Sequence, residues 1–172
     1  MSRAVSVLLA TGGILAVLLT GARWLTEPRI KEAQAAFMQR QLAALTNQMV
    51  TPYQLAAAPF LTPDAKGYKM ADGRFILPVR ALDGYAGPVD MLVMYDSAGT
   101  VFGVRVLSHR ETPGLGDHIT DDVWLESLKG HPPYHIRKDG GQIDSFSGAS
   151  VSPRAVLRAL NQAADWIRKP AL

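Results

Sequence analysis

The chain has 172 residues, of which 48% are hydrophobic and 19% are charged, and its formal net charge is +3; this is enough for one domain of ordinary size with an appended segment. The mild charge forms no long run of one sign, so the sequence gives no indication of nucleic-acid binding. Because the chain contains no cysteine, disulfides, cysteine-ligated zinc, cysteine-ligated iron–sulfur clusters and cysteine lipidation are excluded within it.

The N-terminal segment predicts a membrane anchor. Residues 4–22 carry no charge and are mostly Ala, Val, Leu and Ile. With Trp24 and Leu25 the segment reaches the roughly 20 residues that span a bilayer core as a helix, and its apolar character runs all round the helix instead of along one stripe. A cleaved signal peptide is the alternative, with Arg3 before the apolar run and small residues at 20–22, although the run is long for one.

Charges beside this segment do not fix its orientation. Arg3 flanks one side, and Arg23, Arg29 and Lys31 flank the other. The count alone favours a cytoplasmic domain, but the rule weakens when a long domain follows the helix.

A second helical segment and a linker are predicted next. Thr26 is expected to be an N-cap with Glu27 in the first turn, and apolar residues keep a loose helical period over residues 28–49. This helix is either a juxtamembrane stalk or the first helix of the domain. Residues 55–63 include Ala-Ala-Ala-Pro and predict a linker or irregular segment.

The following residues predict a β-hairpin. A short strand opens at Phe75, and residues 89–95 and 101–108 are rich in β-formers on either side of an Asp-Ser-Ala-Gly turn. Val104 and Val106 are expected to contact the core, although Gly103 breaks strict alternation.

Helices dominate the C-terminal part. Residues 121–128 predict a short helix that ends near Gly130, and residues 134–137 predict a strand. The last helix is expected from about Pro153 to Lys169, with Ser152 as its N-cap. Its apolar stripe comprises Val156, Leu157, Leu160, Ala164 and Ile167.

The sequence DSFSGASVSPR, directly before the last helix, is a candidate anion site. Free N–H groups and the positive end of the helix dipole suit a phosphate. The small residues 147–149 admit a ligand close to the backbone, Ser150 presents a hydroxyl, and Arg154 offers a charge-assisted contact. The open alternative is a redundant N-cap in a serine-rich loop.

The sequence RETPGLGDH, which follows the hairpin, is the second candidate. Pro-Gly-Leu-Gly predicts a rigid turn with close backbone access, but the Gly-x-x-Gly continuation of a dinucleotide-binding loop is missing. An ordinary turn with a polar rim explains this stretch equally well on its own.

Other chemistries lack their motifs. The Gly-x-Ser-x-Gly elbow of a serine hydrolase is absent around Ser147 and Ser150, which leaves that class as an alternative without its signature. No Walker loop occurs, and the histidines lack metalloprotease spacing, so no metal site is predicted. The histidines, expected at the surface or hydrogen-bonded, are His109, His118, His131 and His135.

The sequence resembles the FMN-binding G subunits of Rnf-type ion-translocating complexes, which are relatives of the C subunit of the sodium-pumping NADH:quinone reductase. The resemblance rests on three features in chain order: the apolar N-terminus, SHRETPGLGDHI and IDSFSGASVSPRAV. The resemblance covers the anchor and about residues 84–167. In that family the motif Asp-x-x-Ser/Thr-Gly-Ala-Thr carries FMN, which a separate flavin transferase draws from FAD and joins as a phosphoester to the last hydroxyl. Carried over, the acceptor is Ser150, a serine where the family usually has threonine.

The resemblance implies a set of FMN-binding residues and neither a catalytic residue nor a metal. The set comprises Asp144, Ser147, Gly148, Ala149, Ser150, Arg154, Glu111, Thr112, Gly114 and Leu115. The predicted fold class is α+β, with a single transmembrane helix followed by a small FMN-binding domain that has an antiparallel sheet and flanking helices. The predicted division is residues 1–25 for the anchor, 26–63 for a helical stalk and linker, and 64–172 for the FMN-binding domain.

The implied function is electron relay through covalent FMN between ferredoxin and NAD, coupled to Na⁺ or H⁺ translocation. The protein would cross the bacterial inner membrane once, with its soluble domain on the periplasmic side. Its partners would be other membrane subunits of the complex, the flavin transferase and the lipid bilayer, and no nucleic acid. Two alternatives stay open: a flavin subunit of a sodium-pumping NADH:quinone reductase, which the short length disfavours, and a membrane-anchored assembly module without a cofactor.

Overall fold

The computed structural model describes residues 3–55, 58–63, 65–114 and 116–169, except the side chain of Ala4. The chain divides into two compact units, Met1–Arg40 and Gln41–Leu172. Its elements are α1 (Arg3–Leu45), β1 (Val50–Tyr53), β2 (Gly67–Met70), β3 (Phe75–Ala81), β4 (Val89–Tyr95), β5 (Val101–Ser108), α2 (Asp122–Ser127) and α3 (Val151–Arg168), with 3₁₀ turns at Asp117–Thr120 and Arg137–Asp139.

Helix α1 is continuous through the predicted second helix start. The prediction of Thr26 as an N-cap is wrong, because its hydroxyl donates to the carbonyl oxygen of Ala22, 2.8 Å away, within the helix. Pro28 also lies inside the helix. By length and composition α1 can cross a membrane, and the apolar side chains of its N-terminal part are exposed within the single chain.

The five strands form an antiparallel meander in chain order. The hairpin of β4 and β5 has the predicted bounds, and β3 starts at Phe75 as predicted. The turn between β4 and β5 closes when the N–H of Gly99, at φ +74°, donates to the carbonyl oxygen of Asp96 at 3.1 Å. The predicted α+β class, with an antiparallel sheet and flanking helices, is confirmed.

Both faces of the sheet are buried at β4. Met91, Val93 and Tyr95 belong to the main core, which also includes the buried face of α3. On the opposite face a Cβ added to Gly103 would lie 3.1 Å from Leu45 and 3.5 Å from Met94. The glycine that interrupts the pattern of β5 therefore makes room for the last turn of α1.

Strand β1 and part of the core come from the segment predicted as stalk and linker. Val50–Tyr53 pairs with β2. Phe60 and Leu61 are buried, and the carbonyl oxygen of Phe60 accepts the N–H of Arg80 at 2.7 Å. Residues 58–63 are irregular, as predicted, but they pack on the sheet edge and do not form a free linker.

The C-terminal elements include one confirmed helix and one wrong strand. α2 occupies the predicted position, with Asp121 as its N-cap. The prediction of a strand over residues 134–137 is wrong, since Ile136 makes only an isolated bridge with Ile143. The side chain of Asn161 accepts the backbone N–H of Tyr134 at 2.8 Å and donates to its carbonyl oxygen at 2.9 Å. These two backbone groups are therefore not available for pairing with a strand.

Helix α3 begins earlier than predicted. Val151 is its first residue and Ser150 its N-cap, so Ser152 lies in the first turn. Ser152 is buried, and its Oγ accepts the backbone N–H of Tyr85 at 3.4 Å. The predicted apolar stripe faces the core, with Ile167 only partly buried.

Candidate cofactor-binding site

A pocket of about 130 Å³ lies at the N-terminus of α3. Segments from three loops line it: one before β4, one after β5 and one that leads into α3. The lining residues are Tyr85, Glu111, Thr112, Gly116, Gly148, Ala149, Ser150, Val151 and Ser152. The fold therefore brings the two candidate motifs of the sequence to a single pocket.

The segment before α3 is a tight turn that presents Ser150. The N–H of Ala149 donates to the carbonyl oxygen of Phe146 at 3.1 Å, and Gly148 has φ +76°, in the left-handed region that favours glycine. Ser150 is the N-cap of α3, but its side chain makes no capping hydrogen bond. Its hydroxyl therefore lies at the positive end of the helix dipole without being used to close the helix.

Arg154 holds that hydroxyl and is itself held by Asp139. Nη1 of Arg154 donates to Oγ of Ser150 at 3.2 Å. Nε and Nη2 donate to the two carboxylate oxygens of Asp139 at 2.8 and 2.9 Å. The hydrogen bond from Arg154 lowers the pKa of Asp139, and the same bond raises the pKa of Arg154, so this pair stays charged over the physiological range.

Glu111 places a buried carboxylate in the pocket wall. Its side chain accepts the N–H of Ala86 through Oε1 at 3.4 Å, while Oε2 has no hydrogen-bond partner among the described residues and is buried. A Cβ on Gly116 would lie 2.8 Å from Oε2, and one on Gly84 would lie 2.8 Å from Oε1. A buried acceptor without a donor is energetically costly, and it suits a ligand that supplies a hydroxyl.

Four predicted residues that the structure describes do not line the pocket: Asp144, Ser147, Arg154 and Gly114. Ser147 is exposed in the turn. Asp144 is exposed and pairs with Arg137 at 2.6 Å, and the hydrogen bond from Arg137 lowers its pKa. The N–H of Gly114 donates to the carboxylate of Asp117 at 2.9 Å. Leu115 lies outside the described residues.

An aromatic group supports the loop that carries Asp144. The indole N–H of Trp124 donates to the carbonyl oxygen of Asp144 at 2.9 Å. The ring of Phe146 lies 5.4 Å from the ring of Trp124 and 5.1 Å from that of His118, measured between centroids. These contacts fix the approach to the turn before α3 and give His118 a packing role.

Four lining residues were not predicted from the sequence: Tyr85, Gly116, Val151 and Ser152. Tyr85 is 72% exposed and reaches the pocket because its backbone is tied to Ser152 on α3. Gly116 had a weak signal, as the second glycine of Pro-Gly-Leu-Gly. Nothing local in the sequence around Tyr85 reveals a contact with a helix start so far along the chain.

The donor set fits FMN in part. A helix N-terminus and an arginine suit a phosphate, and the unpartnered oxygen of Glu111 suits a ribityl hydroxyl. Pockets that enclose a whole ligand measure about 300–1,000 Å³, which is more than the 130 Å³ found. The pocket thus fits the phosphate end of such a cofactor and does not enclose all of it.

Comparisons with known proteins agree with this fit. The FMN-binding domain family matches residues 84–165, which include every residue that lines the pocket. The chain is 35% identical to the G subunit of the ion-translocating oxidoreductase complex of Cronobacter sakazakii, over 89% of this chain and 85% of that protein. It is 31% identical to the G subunit of the same complex of Vibrio vulnificus, over 91% and 86%.

The crystal structure of Shewanella oneidensis NqrC aligns with 64% of this chain and 62% of its own, at 24% identity and a TM-score of 0.47. The two G-subunit sequences match this chain along most of its length, at identities above 30%. The chain therefore belongs to the family of G subunits of ion-translocating oxidoreductase complexes, electron-transfer subunits with an FMN-binding domain.

Proposed function

We propose that this electron-transfer subunit carries FMN covalently, as a phosphoester on Ser150, and relays electrons between ferredoxin and NAD in a complex that moves Na⁺ or H⁺. The observation that carries the proposal is the state of the Ser150 hydroxyl. It lines the pocket, it caps no backbone N–H group, and it contacts a guanidinium.

The residues around Ser150 suit a phosphodiester. Such a group keeps one negative charge, which the helix N-terminus and Arg154 stabilise. Glu111 lies elsewhere in the wall of the same pocket, where its free oxygen would accept a hydroxyl of the ribityl chain. Bound FMN would supply the redox chemistry, and the protein would supply its position.

The proposed location is the bacterial inner membrane, with residues 1–25 as the anchor and the FMN-binding domain on the periplasmic side. The apolar composition of α1 supports the anchor, and the family name of the relatives supports assembly with other subunits of a complex. Attachment of FMN would require a flavin transferase as a further partner, because the sequence before α3 resembles a motif that such an enzyme modifies.

Flavin fluorescence in a denaturing gel tests the attachment. The full chain is produced beside an active flavin transferase, as wild type, Ser150→Ala and Ser145→Ala. We expect fluorescent bands for the wild type and for Ser145→Ala, since Ser145 occupies a variable position of the motif and does not line the pocket, and a dark band for Ser150→Ala. A dark wild-type band, or fluorescence that survives Ser150→Ala, would overturn the proposal.

A further inference from the structure

The contacts of Ser150 address the one departure from the family motif. A threonine has a methyl group on Cβ that restricts χ1, whereas a serine turns more freely. In this chain the Oγ of Ser150 accepts a hydrogen bond from Arg154, one helical turn along α3. That bond favours a single rotamer of Ser150 without the help of a methyl group.

Arg154 is well placed for this because its own position is fixed. One edge of the guanidinium, Nε and Nη2, is occupied by both oxygens of Asp139. Such two-bond pairs fix the plane of an arginine as well as its charge. The remaining nitrogen, Nη1, then points to Ser150.

We propose that Arg154, fixed by Asp139, is a positioning residue for flavin attachment, which holds the hydroxyl oxygen of Ser150 in the orientation that reacts. This inference rests on the proposed function, because it concerns attachment at the same serine. It explains how this chain uses a serine where a threonine is usual.

The attachment step is a phosphoryl-group transfer without change of oxidation state. Oγ of Ser150 forms a bond to the FMN phosphorus of FAD, the bond from that phosphorus to the bridging oxygen breaks, and AMP leaves. The hydroxyl proton passes to a base of the transferase or to water. Arg154 donates to a lone pair of Oγ, so it orients the oxygen and leaves the proton free to depart.

The test compares rates of attachment to the full chain in detergent, with purified transferase and FAD. The variants are Arg154→Gln, Asp139→Asn, Ser150→Thr and the double variant Ser150→Thr/Arg154→Gln. Arg158→Gln is the matched control, since Arg158 lies one turn further along α3 and pairs with Asp83 at 2.8 Å in a similar exposed salt bridge. Fluorescence in gels and intact mass give the rate.

We expect Arg154→Gln and Asp139→Asn to slow attachment by about tenfold or more, as loss of a charge-assisted bond would, and Arg158→Gln to leave it unchanged. In the Ser150→Thr background the same Arg154→Gln change should slow attachment much less. A threonine methyl group can restore the orientation of the hydroxyl, but it would not repair a general loss of stability. Rescue in the threonine background therefore reports a positioning role of Arg154.

Two results would overturn the inference and leave the proposed function standing: an Arg154→Gln rate equal to that of the wild type, or an equal loss in the serine and threonine backgrounds. A wild type that takes up no flavin from an active transferase would instead refute the proposed function itself.

Discussion

Residues 145–152 contain four serines that differ in their surroundings. Ser145 is half-buried and Ser147 is exposed in the turn. Ser152 is buried and bonded to the backbone of Tyr85, whereas Ser150 opens on the pocket and contacts Arg154. The serine-rich loop therefore presents only one hydroxyl, among these four, both to the pocket and to a cation.

Gly116 gives a test of the pocket wall. Its φ of −99° suits any residue, but a Cβ there would lie 2.8 Å from Oε2 and 2.9 Å from Cβ of Glu111. We expect Gly116→Ala to lower the free energy of unfolding by about 1–3 kcal/mol, as overpacking does, and to reduce the ratio of flavin to protein. Denaturant unfolding and absorbance measure both, and an unchanged stability would contradict the packing described.

The N-cap of helix α2 supports the loop that leads to Ser150. The carboxylate of Asp121 accepts the N–H groups of Val123 and Trp124 at 2.8 and 3.2 Å, and Trp124 in turn holds the carbonyl oxygen of Asp144. We expect Asp121→Ala to lower the free energy of unfolding by about 0.5–2 kcal/mol, the usual range for a lost cap.

The neighbouring Asp122→Ala is the control for this measurement. Asp122 makes only an exposed ion pair with Arg105 at 3.0 Å among its described contacts, and such pairs contribute about 1 kcal/mol or less. Equal or larger destabilisation by Asp122→Ala in thermal unfolding would show that the cap is not what stabilises α2.

An ion pair that joins β3 and β4 makes the stability of the sheet depend on pH. Burial raises the pKa of Asp90, but the hydrogen bonds and charge of Arg80, at 2.6 and 3.0 Å, and the hydroxyls of Ser108 and Thr62 outweigh it, so the pKa is lowered overall. Because the pKa of Asp90 is lower in the folded state, its ionised carboxylate stabilises the fold at pH values above the unfolded-state pKa of about 3.9. This stabilisation is lost as the pH falls through the folded-state pKa.

Asp90→Asn tests this dependence. At pH 7 we expect denaturant unfolding to show a free energy of unfolding about 1–3 kcal/mol lower for the variant than for the wild type, because hydrogen bonds to a charged group are lost. The difference should shrink as the pH falls below about 4. A difference that stays constant from pH 7 to pH 3 would show that ionised Asp90 is not responsible.

Elements with local signals were predicted well, and those that depend on distant contacts were not. The hairpin of β4 and β5 follows from two β-rich runs around a turn that ends in glycine. Strand β1 contains a proline and is exposed at its centre, so it lacks an alternating pattern. Residues 134–137 look like a strand, but Asn161 on α3 satisfies the backbone of Tyr134.

The residues of the candidate site show the same contrast between local patterns and distant contacts. Ser150 and the residues before it were predicted because small residues and a hydroxyl precede a helix, a pattern visible in the sequence. That Glu111 lies in the same pocket followed only from the family resemblance. The pairing of Arg154 with Asp139 was not predicted, because it joins α3 to a separate turn and no local pattern brings the two residues together.

For the full-length protein we predict a periplasmic domain on a single-span anchor. The chain contains no cysteine, so one introduced cysteine reports its own side of the membrane. Lys138 is exposed, and we expect Lys138→Cys to react with a membrane-impermeant maleimide in cells whose outer membrane is permeable to it. Ser2→Cys should react only after lysis, and the reverse pattern would place the domain in the cytoplasm.

Mass spectrometry of a single tryptic peptide tests whether Ser150 carries the flavin. Trypsin cleavage after Lys138 and Arg154 yields a peptide that contains all four serines of the loop. From wild-type chain made beside an active transferase, we predict this peptide with the added mass of one FMN less one water, and fragment ions that place the addition on Ser150. An unmodified peptide, or an addition on another serine, would show that Ser150 does not carry the flavin.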